Sequence, residues 1–85
     1  MVRVSGKVDV DGERNEQLVL LGLAIKARRE AANLTQEKRA HDANIERAHM
    51  SKIERGRRNV TTLNMLRIAA ALGCPASEIF AAAGL

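Results

Sequence analysis

From Asn15 onward the chain is cut into helix-length pieces by four residues suited to a left-handed backbone, Asn33, Asn44, Gly56 and Gly73. Glycine, and to a lesser degree asparagine, adopts positive φ with little steric penalty, and a residue in that conformation is a common way for a helix to stop. No piece is long enough to stand alone, because short helices are marginal in water without tertiary packing. The pieces must therefore fold against one another. Strands are disfavoured over the same range: Phe80 is the only aromatic residue, and the β-branched residues after Val10 are scattered rather than alternating.

The apolar spacing within each piece defines the expected elements. A first helix runs from about Asn15 to about Ala32, with Leu18, Leu21, Gly22 and Ile25 on one face. Leu34 returns to the core, and Thr35 is placed to cap a second helix from Gln36 to about Ala43. A third helix spans about Glu46 to Arg55, with Ile45, Met50 and Ile53 inward and Arg47, Ala48, Ser51, Lys52 and Arg55 outward. Thr61 or Thr62 caps a fourth helix whose Leu66, Ala69 and Leu72 share a face. Pro75 suits the start of a fifth, Ala76 to about Ala82, carrying Ile79 and Phe80.

The expected fold class is thus all-α, a compact five-helix domain over residues 16–85. Residues 1–15 precede it as an arm, either flexible or folded as a short β-hairpin from the alternation Val2, Val4, Val8, Val10 around Ser5-Gly6. An 85-residue chain has room for one such domain.

Charge distribution narrows the partner. The formal net charge is +4, but residues 26–58 carry ten basic and five acidic side chains, so the positive excess belongs to the middle of the chain. A polyanion is indicated there. No run approaches the roughly 18 apolar residues of a spanning helix and no segment has the layout of a signal peptide, so the chain reads as cytoplasmic, with no membrane partner. His41, Asp42, His49 and Cys74 fall into no metal-ligand or catalytic-triad spacing, and neither an enzyme, a metal site nor a cofactor is implied. Cys74, the single cysteine, is expected to be a small buried packing residue.

Two short helices joined by a tight turn can present the second to the major groove of DNA. The residues around that geometry are Leu34-Thr35-Gln36-Glu37 to Ala40, Asn44-Ile45, Met50-Ser51-Lys52-Ile53-Glu54-Arg55-Gly56-Arg57-Arg58-Asn59, and Leu66 to Gly73. This pattern resembles the XRE-type helix-turn-helix family of lambdoid phage repressors and Cro, and within it the controller proteins of restriction-modification systems. The resemblance covers about Leu21 to Phe80. It implies a lambda-repressor-like fold that binds duplex DNA and regulates transcription as a homodimer.

The resemblance also implies roles for single residues. Arg47, Ala48 and Lys52, with His49 and Ser51 next, fall at base-reading positions. An arginine or lysine there suits guanine O6 and N7, and an alanine a thymine methyl. Thr35, Gln36, Arg55, Arg57, Arg58 and Asn59 are expected on phosphates, which hold the register without reading sequence. Ile79, Phe80 and Leu85 are the expected dimer interface. The alternative is an antitoxin or a small helical adaptor that uses the same apolar C-terminal surface for a protein partner.

Three residues depart from the family pattern. Arg39 stands where a buried leucine is usual, Val60 replaces a proline and Glu46 a serine-type cap. Glu54, a carboxylate among basic residues, is expected to pair internally with an arginine of the second helix or the loop.

Overall fold

The computed structural model describes residues 15–85, which form five helices: α1 (Glu16–Ala31), α2 (Gln36–Ala43), α3 (Arg47–Glu54), α4 (Thr62–Leu72) and α5 (Ala76–Ala82). The expected arm or hairpin lies outside the described residues, except for Asn15, the N-cap of α1. The fold class is the expected one. Among the described residues no single helix is long and apolar enough to cross a membrane.

Local chemistry sets most boundaries. Asn15 Oδ1 accepts from Leu18 N at 3.0 Å, Thr35 Oγ1 from Lys38 N at 3.0 Å and Thr61 Oγ1 from Asn64 N at 3.1 Å. Each satisfies one of the orphan N–H groups of a first turn, at about 1 kcal/mol per cap. Asn33 and Asn44 take positive φ of 59° and 60°. At Asn44 the reversal lets Ile45 N donate to Ala40 O at 2.8 Å, which closes α2 and aims the chain into α3.

One large aliphatic side chain or more from four helices meets at the centre: Ile25 of α1, Met50 and Ile53 of α3, Ile68 of α4 and Ile79 of α5 are all buried. From α2, Ala40 and Ala43 contribute. Complete burial of an aliphatic side chain of this size is worth about 1.5–3 kcal/mol. α1 packs on α3 and α5, α2 on α3 and α4, and α4 on α5. The helix-turn-helix pair α2–α3 is thus held from behind by α1 and α4.

Two glycines permit the approach of α1 to the end of α3. A Cβ on Gly22 would lie 2.5 Å from the carbonyl oxygens of both Ile53 and Glu54, so the backbones touch there. Gly56 combines a φ of +72° with a Cβ position 2.5 Å from Val19 Cα. Small size and left-handed geometry are both required at that turn.

Three expectations about burial need correction. The inward face of α4 is Met65, Ile68 and Ala69, with Leu72 partly buried, whereas Leu66 is 54% exposed. α4 is apolar almost all round, so its spacing fits more than one rotation. Ile79 is fully buried in its own chain and therefore unavailable to a second subunit; among the expected interface residues, Phe80 and Leu85 are exposed. Its helix is short and lies against both α1 and α4, which puts the central residue in the core. Cys74 is only partly buried against the core and is a free thiol.

Candidate nucleic-acid interface

The surface of α3 is sorted by helical geometry. With Met50, Ile53 and Glu54 buried, the 100° step per residue turns Ala48, Ser51, Lys52 and Arg55 to the opposite side, with His49 at its edge, while Arg47 in the first turn falls nearer the direction of Glu54. Arg47, Ala48 and Arg55 are exposed, while His49, Ser51 and Lys52 are half-buried. Four of the five expected base-reading residues, Ala48, His49, Ser51 and Lys52, lie on or at the edge of the outward face, and Arg47 is exposed at the start of the helix. Glu46 makes no capping hydrogen bond, so its side chain leaves the first N–H groups of α3 unclaimed.

The cationic side chains of this region fall into two sets. Arg28 pairs with Glu78 at 2.8 Å, Lys38 with Asp42 at 3.1 Å, and Arg29 with Glu54 at 2.7 Å. Arg47, Lys52, Arg55 and Arg57 enter no ion pair among the described residues. Like charges without counter-ions raise the local potential, and their concentration on α3 and the following loop makes this the anion-attracting part of the described surface. Arg58 and Asn59 follow in that loop, Arg58 half-buried and Asn59 exposed.

Glu54 belongs to a different kind of site. Its side chain is 1% exposed, and its carboxylate is fully partnered. Arg29 donates from Nε at 2.7 Å and from Nη2 at 3.0 Å in a two-pronged contact, and Gln36 Nε2 donates at 2.9 Å. Arg29 Nη1 also donates to the Leu34 carbonyl at 2.9 Å. The partner is therefore an arginine of α1, not of α2 or the loop as expected. The hydrogen bonds that Arg29 donates to Glu54 push its pKa above the ordinary arginine range, against an opposing effect of burial. This network ties α1, the start of α2 and the end of α3 at one point.

Gln36, expected on a phosphate, has one amide N–H committed to Glu54. A glutamine amide carries two, so the other remains for a ligand, and the hydrogen bond to Glu54 holds the group in place. Thr35 is exposed, with its hydroxyl oxygen engaged as the α2 cap.

Arg39 does lie in the core. It is 2% exposed, its Nη1 donates to the carbonyl of Ala71 in the last turn of α4, and the same nitrogen stands 3.8 Å from Asp42 Oδ2. Its Nε has no hydrogen-bond partner. A guanidinium in the leucine position is accommodated because the end of a helix offers carbonyls without intrahelical partners. Val60 fills its place by packing partly buried against the core.

These features define a class: a DNA-binding helix-turn-helix protein in which α2 and α3 are the two helices of the motif. A helix-turn-helix family model matches residues 25–79, and the chain belongs to this family of transcription regulators. It is 42% identical over 55 residues to the control protein C.MunI of Mycoplasma sp, a match covering 65% of this chain and 74% of that one. It is 40% identical over 48 residues to the control protein C.BamHI of Bacillus amyloliquefaciens, covering 56% and 59% of the two chains. Among solved structures, the restriction-modification controller protein C.AhdI of Aeromonas hydrophila is similar with a TM-score of 0.76 and 34% identity over 76% of this chain and 98% of that one.

Proposed function

We propose that this protein is a controller-type transcription regulator that binds a palindromic duplex operator as a homodimer, with α3 in the major groove. The observation that carries the reading is the set of unpaired cations on α3 and the loop after it, Arg47 at the start of the helix, Lys52 and Arg55 on its outward side and Arg57 beyond its end, while the inner side of the helix is locked into the core. Arg47, Ala48 and Lys52, with His49 and Ser51, read base edges. Gln36, Arg55, Arg57, Arg58 and Asn59 hold phosphates, with Thr35 fixing the start of α2 beside them.

Dimerisation follows from reach. One recognition helix covers a few base pairs, and two of them about 34 Å apart read both halves of a palindrome on one side of the duplex. The surface that suits a second copy is apolar: Leu63 and Leu66 of α4 are 55% and 54% exposed, and Phe80 and Leu85 at the C-terminal end are exposed too. Exposed large side chains at i and i+3 on one helix form a stripe, and such stripes mark association surfaces.

Selection of bound fragments from a random duplex library tests the reading directly. Recovery of a two-fold symmetric consensus is the expected result, and failure to enrich any sequence overturns it. With that consensus in hand, Arg47→Ala is expected to relax preference at one base pair in each half-site, at about 1–3 kcal/mol, whereas Arg57→Ala weakens all sequences alike. Equal losses on every sequence for Arg47→Ala would remove it from the base-reading set.

A further inference from the structure

A cleft between α1 and α3 brings a residue from outside the helix-turn-helix motif to the DNA-facing side. One wall is Val19, Leu23 and Lys26 of α1, spaced i, i+4, i+7, and the other includes Ser51 and Arg55 of α3; Gln36 of α2 also lines it. Ser51 and Arg55 belong to the outward face of α3, so the cleft opens toward that face.

The charges in the cleft do not balance. Glu54 also lines it, but that carboxylate is occupied by Arg29 and Gln36. Lys26 and Arg55 are both exposed and neither enters an ion pair among the described residues. The neighbouring α1 arginines, Arg28 and Arg29, each have a carboxylate. Lys26 thus falls with the unpaired cations of α3, not with the structural ion pairs of its own helix. Two cations beside the apolar wall of Val19 and Leu23 focus positive potential in the cleft, because low-dielectric walls screen them less than open water does. Gln36 supplies a neutral donor through its second amide N–H.

We propose that this cleft takes a backbone phosphate of duplex DNA, with Lys26 of α1 as a contact outside the helix-turn-helix motif and Arg55 as its partner charge. The assignment rests on the DNA-binding reading above and extends the footprint from α2, α3 and the loop onto α1. Lys26 positions the protein and reads no base.

The test is a salt titration of binding to a random-sequence duplex two helical turns long, comparing the parent with Lys26→Gln, Lys26→Arg and Arg67→Gln. Arg67 is an exposed α4 cation, so Arg67→Gln makes the same change in net charge away from the cleft. For Lys26→Gln the slope of log K against log salt is expected to flatten by about 0.9, so that affinity lost between about 50 and 200 mM salt is about 3.5-fold smaller than in the parent. Lys26→Arg keeps the parental slope, and Arg67→Gln does not flatten it. A Lys26→Gln slope equal to the parent's overturns the assignment, as does equal flattening by Arg67→Gln, which marks a bulk charge effect. A parent that shows no salt-dependent duplex binding instead overturns the DNA-binding reading itself.

Discussion

Replacement of Glu54 by leucine isolates what the buried ion pair contributes. Leucine approximates the volume of the lost side chain, so little cavity is created, but the Arg29 guanidinium, 11% exposed, loses both contacts that neutralise it and keeps only its hydrogen bond to the Leu34 carbonyl. Breaking a buried pair from one side costs about 3–5 kcal/mol, because an uncompensated charge is left in a poorly solvated place. A chain of 85 residues has a total stability of about 4–13 kcal/mol at the usual 0.05–0.15 kcal/mol per residue. Glu54→Leu is therefore expected to remove a quarter of the stability at the least and to unfold the domain at the most. In thermal unfolding this is a fall of more than about 12 °C, taking the lower limits of 3 kcal/mol and 4 °C per kcal/mol for a domain of this size.

The double variant Arg29→Met/Glu54→Leu removes the stranded charge and is expected to return close to parental stability, since apolar replacement of a whole buried pair is often neutral or stabilising. Urea unfolding at pH 7 is the assay. The raised pKa of Arg29 means that its share of the stability is fully present below the ordinary arginine range and is lost only as pH rises through the folded value, so neutral pH reports the complete effect. A cost below about 1 kcal/mol for Glu54→Leu, or a double variant no more stable than the single one, refutes the view that the penalty is a stranded charge.

Gly22→Ala would place a Cβ 2.5 Å from two backbone carbonyl oxygens of α3, which cannot rotate aside. The helices must separate, and urea unfolding should show a loss of about 1–3 kcal/mol typical of overpacking; an unchanged midpoint contradicts the contact. Arg39→Leu substitutes an apolar side chain for a buried guanidinium whose Nε is unpartnered, so stability should be unchanged or higher. Arg39→Ala should lose about 2–5 kcal/mol by leaving a cavity, and the two values from parallel urea titrations must diverge for the reasoning to hold.

Much of the fold could be read from residues that act on their immediate neighbours. Asn44 stops α2 because an asparagine tolerates a φ of 60°, and Thr35 starts it because a hydroxyl reaches the third N–H ahead. Both facts are complete within a few residues. The outward face of α3 was legible for the same reason, as Met50 and Ile53 set the inward direction and the helical repeat did the rest. The resemblance to the repressor and controller families was legible too, and the helix-turn-helix family match over residues 25–79 bore it out.

What the chain could not specify locally is which partner meets which across the domain. Glu54 is 25 residues from Arg29 in sequence, and only the crossing of α1 over the end of α3 at Gly22 selects that arginine from the several available. The rotation of α4 was ambiguous because its apolar residues surround the helix, and the choice of Met65 and Ile68 over Leu66 was made by packing against α2 and α5. Ile79 and Phe80 are adjacent apolar residues on α5, yet one is fully buried and the other 37% exposed. Arg39 remained unexplained until the carbonyl of Ala71, 32 residues on, was brought beside it. Backbone stops, caps and helical faces are short-range properties and are written in the chain; charge pairing, helix rotation and burial depend on distances that exist only once the five helices have packed.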